Sequence, residues 1–249
     1  MLMQKDKICT QSGLSYIEMG KREKPALLFL HGFMGCKEDF NALYDDLKSH
    51  FLCFGIDLPA HGNTKPDIDL NIAITTFIKA HNLSKVFLLG YSFGGRLSFD
   101  FDLDLFEKIF IISSHLGLQD ESEKQNRLKQ DQNWADLLLE NFEDFLKKWY
   151  EQPIFNTLSS QKKETVLIRR RKNNPHFLAN ALMKYSLSKQ EIFFPQEKHL
   201  FFYGEEDTKY KTLYQQLSHK IEVKKASHAP HLENPQFISK KVIQYGSME

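Results

Sequence analysis

Short apolar runs alternate with helix-compatible segments over the first half of the chain. The predicted strands cover residues 27–31, 52–57, 86–90 and 109–113, and the predicted helices cover residues 40–47 and 70–81. Alternation of this kind predicts parallel βαβ units, with helices on both faces of one sheet. Two strand-like pieces, at residues 8–9 and 14–18, come first and are predicted to be antiparallel edge strands.

The pattern changes between about residues 118 and 190. This segment is highly charged, and its apolar residues recur at helical spacing rather than in strand alternation. Two such stripes are Trp134, Leu137 and Leu138, and then Phe142, Phe145, Leu146 and Trp149. Strand signals resume only at His199, and another apolar run follows at residues 221–223. We therefore predict a core of residues 1–117 and 190–249, with a helical cap, residues 118–189, inserted between its sixth and seventh strands.

The sequence Gly90-Tyr91-Ser92-Phe93-Gly94 carries the G-x-S-x-G pattern between a predicted strand and a helix-compatible segment. A nucleophile elbow needs this order of strand, sharp turn and helix, and its glycines let the serine approach neighbouring backbone closely. The turn also puts the serine hydroxyl at a helix N-terminus, where partial positive charge favours a developing anion. Ser92 is therefore the predicted nucleophile. The alternative is a glycine-rich turn that carries an inert serine.

Candidate partners for Ser92 follow in the order of serine, acid and histidine that this motif requires. Asp207 and His228 each lie just beyond the end of an apolar strand, and parallel sheets place reactive groups at that edge. His228 is predicted to take the proton of Ser92. Asp207 is predicted to fix the histidine tautomer and to stabilise the imidazolium.

Three nearby residues are alternatives for these two roles. Glu205 or Glu206 could replace the acid, but Asp207 lies farther into the loop and has a shorter side chain. His231 competes with His228 as the base, and Pro230 separates the two histidines. The other interpretation of His231 is that it caps or packs against the last helix.

A predicted strand at residues 26–30 runs into His31-Gly32-Phe33-Met34-Gly35. An HG-x-x-G turn lets a backbone amide point at a developing oxyanion. The predicted donors of this oxyanion hole are the amides of Phe33 and of Phe93, which follows the nucleophile. The alternative is a plain glycine-rich turn. His31 and His61 are expected to be structural hydrogen-bonding residues.

Composition limits the class of protein. At 249 residues the chain is long enough for one sizeable core, and its 33 basic and 32 acidic residues give no overall charge that would favour nucleic acid. The three cysteines are scattered without metal-ligand spacing, which predicts free thiols in a reducing compartment and no metal site. The N-terminus has no apolar signal region, and no apolar run is long enough to span a membrane. We therefore expect a cytoplasmic protein without membrane insertion, and no protein partner can be inferred.

Taken together, these motifs resemble the α/β-hydrolase superfamily over essentially the whole chain. A narrower resemblance is to the 2-succinyl-6-hydroxy-2,4-cyclohexadiene-1-carboxylate (SHCHC) synthase family of menaquinone biosynthesis. Residues 90–96 resemble its GYSxGGR elbow, residues 149–155 its W-Y-x-Q-P-[VI]-F cap segment, and residues 204–210 its GExDxKF loop. Residues 117–127 resemble the segment that enters the family's cap. The resemblance implies an α/β-hydrolase fold, with a mostly parallel central sheet, helices on both faces and an inserted helical cap.

The resemblance also implies a lyase, which eliminates pyruvate from an enolpyruvyl cyclohexene carboxylate without a cofactor. In that family the triad serine acts as a base on a carbon-bound proton, and the oxyanion hole holds the resulting negative charge. The matching positions imply that Arg96, Arg127 and Arg170 bind carboxylates, and that Tyr91 and Trp149 form pocket walls. The implied partner is a small-molecule polycarboxylate, which guanidinium groups can bind bidentately.

Each of these implied roles has a structural alternative. Arg96 could brace the elbow helix, and Arg127 could lie on the exposed face of a charged helix. Arg169 and Arg171 are close rivals of Arg170, and all three could belong to a solvated face. Trp149 could simply seal the cap core.

The sequence departs from the SHCHC synthase pattern in two places. Ala60 stands where a glycine is usual, and residues 113–117 lack the usual proline and acidic residue. The same triad and oxyanion hole would also serve a carboxylesterase, a thioesterase or a carbon–carbon bond hydrolase. The remaining alternative is a binding protein of hydrolase fold without activity, which an intact triad disfavours.

Overall fold

The computed structural model describes residues 7–247, and within this range one sheet of eight strands forms the centre of the molecule. The strands are β1 (Lys7–Ile8), β2 (Ser15–Met19), β3 (Ala26–Leu30), β4 (Leu52–Ile56), β5 (Val86–Tyr91), β6 (Lys108–Ile112), β7 (His199–Gly204) and β8 (Lys220–Val223). Their order across the sheet is β1-β2-β4-β3-β5-β6-β7-β8. β1 and β2 pair antiparallel, and β3 to β8 run parallel. The predicted mostly parallel sheet is thereby confirmed.

Helices cover both faces of this sheet and one of its edges. In the described range they are α1 (Asn41–Leu47), α2 (Leu70–Ala80), α3 (Phe93–Leu97), α4 (Glu121–Glu140), α5 (Phe142–Tyr150), α6 (Ser160–Arg170), α7 (Pro175–Lys184), α8 (Thr208–Leu213), α9 (Pro230–Glu233) and α10 (Pro235–Gly246). Asn174 caps α7, since its side chain accepts from the amides of His176 and Phe177. Among residues 7–247, no helix combines the length and the apolar character needed to cross a membrane.

Strand residues alternate between two apolar layers, one on each face of the sheet. In β3, Leu28 and Leu30 pack with Phe77 of α2. Leu27 and Phe29 belong to the other layer, together with residues of α1 and α10. Because both faces are covered, β3 is buried at every position rather than at alternate ones.

Helices α4 to α7 lie between β6 and β7, in the segment that was predicted to be helical. Their apolar stripes meet in a core of their own, in which the ring of Phe145 lies 5.5 Å from Trp134 and 5.4 Å from Trp149. Met34, after β3, and Ala229, after β8, join the same cluster. The four helices therefore rest on the carboxyl edge of the parallel strands.

Candidate active site

Ser92 lies at the sharp turn between β5 and α3, with a left-handed backbone conformation (φ 48°, ψ −103°). A Cβ atom at Gly90 would lie 2.6 Å from the Cα of Gly95, and one at Gly94 would lie 2.5 Å from the carbonyl oxygen of Leu30. Side chains at these positions would therefore collide with backbone. The packing explains why the turn needs its glycines, and the strained serine is held in place by its surroundings.

Ser92, His228 and Asp207 form a continuous hydrogen-bonded chain. The Oγ of Ser92 lies 3.3 Å from Nε2 of His228, and Nδ1 of His228 lies 3.2 Å from Oδ2 of Asp207. Asp207 follows β7 and caps α8, because its Oδ1 accepts from the amide of Tyr210 at 3.2 Å. Since Asp207 accepts from Nδ1–H, the Nε2 atom is available to receive a proton from the serine.

The three alternative residues make other contacts. Glu205 accepts from Lys224 at 2.9 Å, and Glu206 is exposed. His231 is buried, with its ring centroid 4.1 Å from that of Tyr91, and burial lowers the pKa of His231 to about 3. Within residues 7–247, none of the three is hydrogen-bonded to the Ser–His–Asp chain.

Phe33 and Phe93 both line the cavity in front of Ser92. Their amides have no protein acceptor within the described part of the chain. The two loops are tied together, because the amide of Gly94 donates to the carbonyl oxygen of His31 at 3.0 Å. The arrangement leaves two N–H groups available to a negatively charged oxygen.

Two buried histidines support the loop that carries Phe33. The Nε2 of His31 accepts from the amide of Leu58 at 3.0 Å, and the Nε2 of His61 accepts from the amide of Met34 at 3.1 Å. In each histidine, Nδ1 donates to a nearby backbone carbonyl. Burial lowers the pKa of both side chains, that of His61 to about 3. Both are therefore neutral structural residues.

A cavity of about 240 Å³ lies between Ser92 and helices α4 to α7. His228 borders it, and so do all five residues that were predicted to contact the substrate, namely Tyr91, Arg96, Arg127, Trp149 and Arg170. The ring of Trp149 lies 5.4 Å from that of Phe33, so the indole covers the loop beside Ser92. Among residues 7–247, no group of three or more His, Cys, Asp or Glu side chains is arranged to hold a metal ion.

Arg96 and Arg127 reach the cavity from α3 and α4. Arg96 donates from Nη1 to Oε1 of Gln190 and from Nη2 to the carbonyl oxygen of Tyr185, both at 2.8 Å. Burial, and then the nearby Arg127, lower the pKa of Arg96 to about 10, so it remains a cation. Arg127 donates from Nε to Asp131 at 2.8 Å. Arg96 is thus held by neutral acceptors, whereas Arg127 has a carboxylate on one edge.

Arg170 lines the same cavity, but its charge is already paired. Its two Nη groups donate to the two oxygens of Asp39 at 3.1 and 2.6 Å, and its Nε donates to the hydroxyl of Tyr150 at 3.0 Å. Burial alone would raise the pKa of Asp39, but the Arg170 guanidinium holds it well below its usual range. Arg169 also donates to Asp39, at 3.2 Å. Arg170 therefore ties α6 to the turn at Lys37–Phe40, and its charge is compensated at a position for which the resemblance implied carboxylate binding.

Lys209 and His115 are among the cavity-wall residues that had no role in the sequence prediction. Lys209, on α8, belongs to the GExDxKF-like loop, so its motif was a usable signal. Loss of hydration at the cavity rim, and then Arg127, lower the pKa of Lys209. His115 lies just beyond β6, and burial followed by Lys209 and Arg127 lowers its pKa to about 3. No sequence pattern marked His115, which lies in a segment that departs from the family.

Known proteins resemble this chain in both sequence and fold. Residues 25–235 match the alpha/beta hydrolase fold family. An SHCHC synthase from Citrobacter koseri is 32% identical over 247 residues, which cover 87% of this chain and 91% of the relative. An SHCHC synthase from Klebsiella pneumoniae is 29% identical over 235 residues, which cover 88% and 92%. The structure of MenH from S. aureus superposes with a TM-score of 0.82 at 20% identity, covering 94% of this chain and 97% of that one.

The family match covers most of the chain, and the chain therefore belongs to the alpha/beta hydrolase family of enzymes. The predicted fold class is confirmed by this match and by the order of the strands. Within the family, the sequence is similar to SHCHC synthases, as the elbow, cap and loop motifs indicated.

Proposed function

We propose that this enzyme eliminates pyruvate from 2-succinyl-5-enolpyruvyl-6-hydroxy-3-cyclohexene-1-carboxylate to give SHCHC in menaquinone biosynthesis. The observation that carries the proposal is Arg96, whose guanidinium has only neutral acceptors among the described residues and borders the cavity in front of Ser92. A buried charge is costly unless it is paired, so the cavity favours an anionic ligand. The similarity to SHCHC synthases supports the particular substrate.

The names of substrate and product define the bond changes. The substrate has a double bond at C3, a ketone attached at C2 and the enolpyruvyl oxygen at C5, whereas the product has double bonds at C2 and C4. The C2 proton is α to the ketone and therefore acidic. Its removal shifts the double bonds and breaks the C5–O bond, and the leaving enolate of pyruvate takes up a proton. Atoms and electrons balance without water, oxidant, reductant or cofactor.

The chain Ser92–His228–Asp207 supplies the base in this proposal. The serine oxygen removes the C2 proton while His228 Nε2, 3.3 Å away, accepts the hydroxyl proton. Asp207 accepts from Nδ1 at 3.2 Å and stabilises the imidazolium. The ketone oxygen becomes an enolate oxygen, and the amides of Phe33 and Phe93 bind it.

The substrate carries three carboxylates, on the ring, the succinyl chain and the enolpyruvyl group. Arg96 and Arg127 are the proposed ligands of two of them, and Lys209 adds a third cation at the rim. Arg170 contributes less to the binding, because Asp39 already neutralises it. The uncompensated positive charge of the cavity wall suits a multiply charged anion, and an uncharged ester would not require it.

The walls and helices around the cavity exclude water in this proposal. Tyr91 and Trp149 form apolar walls, and the helices of residues 118–189 act as a cap over the substrate ring. Exclusion of water strengthens each arginine–carboxylate contact and protects the enolate from protonation. We place the reaction in the cytoplasm, since the free thiols suit a reducing compartment.

A carboxylesterase or thioesterase is the second candidate function. The Ser92–His228 pair and the two free amides also suit acyl transfer. Small uncharged acyl esters, however, offer no negative charge to Arg96 and Arg127. The two functions therefore differ in how much Arg96 and Arg127 contribute to substrate binding.

The test gives the purified protein its enolpyruvyl substrate, generated in situ by the preceding pathway enzyme, and follows pyruvate release. Spontaneous elimination is subtracted. Ser92→Ala should lower kcat by roughly 10⁴- to 10⁶-fold, with Tm nearly unchanged. The matched control is Ser218→Ala, which alters an exposed serine and should keep full activity.

Two results would change the proposal. Pyruvate release at the spontaneous rate, together with brisk hydrolysis of p-nitrophenyl acetate, would replace the synthase by an esterase. Near-full turnover by Ser92→Ala would exclude Ser92 as the base. His228→Ala and His231→Ala, assayed side by side, identify the working histidine, and only the first should abolish elimination.

A further inference from the structure

Residues 185–190, here called the exit segment, lead from the inserted helices back toward the sheet. Two acceptors of this segment hold Arg96, because the carbonyl oxygen of Tyr185 and Oε1 of Gln190 each accept from it at 2.8 Å. The Gln190 amide is itself fixed, since its Nε2 donates to the carbonyl oxygen of His115 at 3.0 Å. The guanidinium of Arg96 is therefore oriented by uncharged groups.

The exit segment also holds Arg127, through Asp131. The Oδ1 of Asp131 accepts from Nε of Arg127 at 2.8 Å, and its Oδ2 accepts from Oγ of Ser186 at 2.7 Å. Asp131 is 1% exposed and Ser186 is 2% exposed. Both carboxylate oxygens are thus satisfied, one by α4 and one by the exit segment.

A buried carboxylate beside a cavity for anions calls for a physical reason. Its charge opposes the binding of a substrate carboxylate, and its burial is costly by itself. Asp131 is bonded to Nε of Arg127, which leaves the two Nη groups for a bidentate contact with a ligand. Asp39 does the opposite, because it accepts from both Nη groups of Arg170. Asp131 therefore orients an arginine without covering its binding edge.

We propose that Asp131, Ser186 and Gln190 are positioning residues, which fix the separation of the Arg96 and Arg127 guanidiniums and so select ligands with two carboxylates at one spacing. The inference rests on the proposed function only in that the substrate is a polycarboxylate. The exit segment is hydrogen-bonded to Arg96 directly and to Arg127 through Asp131. A shift of this segment therefore moves both guanidiniums. Pre-organised cations favour the ligand that reaches both of them at once.

The test measures binding of α,ω-dicarboxylates of increasing chain length and of the matching monocarboxylates. The chain has two tryptophans, Trp134 and Trp149, and both line the cavity, so quenching of tryptophan fluorescence reports its occupancy. The unmodified enzyme should bind one chain length best. At that length the dicarboxylate should bind about tenfold or more tightly than the monocarboxylate, as one further charge-assisted contact predicts.

Two variants loosen the spacing without removing either arginine. Ser186→Ala deletes the donor to Asp131 but keeps the Arg127–Asp131 pair, and Asp131→Asn keeps the size of the side chain. Each should make the Kd depend less on chain length and reduce the dicarboxylate preference about tenfold. Ser186→Ala should change the monocarboxylate Kd by less than about threefold, and Asp131→Asn, which removes an opposing charge, should not weaken monocarboxylate binding. The matched control is Asp136→Asn, on the exposed face of the same helix, and it should leave the dependence of Kd on chain length unchanged.

An unchanged preference in folded Ser186→Ala and Asp131→Asn would overturn the inference. An equal loss of mono- and dicarboxylate binding would also overturn it, because a general structural defect lowers both. If Asp131→Asn does not fold, Ser186→Ala decides alone, since it leaves the buried ion pair in place.

The binding assay and the elimination assay separate the two proposals. Elimination above the spontaneous rate, without any preferred chain length in the unmodified enzyme, overturns the positioning roles and leaves the synthase function. A preferred chain length that the variants lose, without elimination, supports the positioning roles and overturns the synthase function.

Discussion

Arg96 and Arg170 line the same cavity, yet their charges differ in how far a ligand can use them. Arg96 is held by the carbonyl oxygen of Tyr185 and the side-chain oxygen of Gln190, which carry no net charge. Arg170 donates through both Nη groups to Asp39. A cation attracts an anion only to the extent that its neighbours leave it uncompensated. The place of an arginine in a cavity wall therefore does not establish that it binds the ligand.

The two environments also serve different parts of the fold. The Arg170–Asp39 pair joins α6 to the turn at Lys37–Phe40, and both of its side chains are buried. The acceptors of Arg96 belong to the segment through which the chain leaves the inserted helices. Loss of the first pair should therefore change stability, whereas loss of Arg96 should change binding.

Among the substitutions that separate these two environments, Asp39→Asn should give the largest change, and the change should be in stability. The substitution leaves the Arg170 guanidinium buried without its counter-ion, which costs about 3–5 kcal/mol. Urea denaturation measures this decrease in the free energy of unfolding. The matched control is Glu143→Gln, because Glu143 and Arg171 form an exposed pair at 3.0 Å that should contribute less than about 1 kcal/mol.

A paired replacement separates the loss of the charge from the loss of packing. Asp39→Leu combined with Arg170→Met removes both charges together and should recover most of the stability. If Asp39→Asn costs no more than Glu143→Gln does, the pair contributes little, and Arg170 is as available as Arg96.

Arg96→Ala should change catalysis more than stability. A charge-assisted contact with a carboxylate contributes about 1.5–3 kcal/mol, so kcat/KM for pyruvate release should fall roughly 10- to 150-fold. Hydrolysis of p-nitrophenyl acetate, which has no carboxylate, should hardly change. Arg171→Ala, at an exposed position outside the cavity wall, is the control and should leave both activities intact. Equal losses with the two substrates would show that Arg96 braces the elbow instead.

Gln190→Glu should convert the environment of Arg96 into that of Arg170. The new carboxylate would lie where Oε1 of Gln190 now accepts from Nη1 at 2.8 Å. It would compete with the substrate for the guanidinium, and kcat/KM should fall at least about tenfold by the same contact energy. Steady-state pyruvate release measures the effect. Full activity in Gln190→Glu would mean that the site does not depend on an uncompensated charge.

Acid should destabilise the protein through its buried histidines. His231 is the histidine chosen to test this expectation. Burial lowers the pKa of His231 from 6.5 to about 3. The folded state then binds fewer protons than the unfolded state, so stability falls as the pH drops below 6.5, and this loss levels off near pH 3. At pH 5 this effect of His231 should lower the free energy of unfolding by about 1–2 kcal/mol. His231→Phe should remove that part of the decrease between pH 7.5 and pH 5, measured by urea denaturation at both values. An unchanged decrease would assign the acid sensitivity to other groups.

The sheet and the Ser–His–Asp chain could be predicted from the sequence because their signals are local. Apolar runs mark the strands, and the glycine turn marks the elbow at Ser92. Asp207 and His228 follow because the carboxyl ends of parallel strands meet at one edge of a sheet. The edge strand β1 shows the usual limit of such patterns, since it covers Lys7–Ile8 rather than residues 8–9.

The pairing of Arg170 could not be predicted in the same way. Its partner Asp39 lies 131 positions away, and no periodicity or spacing connects the two residues. Arg127 and Asp131 are one helical turn apart, so their pair was within reach of a local rule. The contribution of Lys209 depends on how α8 faces the cavity, which its motif does not specify. Local patterns thus located the cations, and only the tertiary structure distinguishes those that are compensated.

The smallest expected effect concerns Ala60, in the loop that carries His61. Ala60 has φ 69°, a left-handed conformation that costs an L-residue about 1 kcal/mol, and the next residue, His61, accepts from the amide of Met34 at 3.1 Å. Ala60→Gly should raise the free energy of unfolding by roughly 0.5 kcal/mol, because relief of this cost is partly offset by the greater freedom of unfolded glycine. Ala42→Gly, in α1, is the control of opposite sign, since a helical glycine destabilises. A decrease for Ala60→Gly in urea denaturation would mean that the buried methyl group contributes more through packing than its conformation costs.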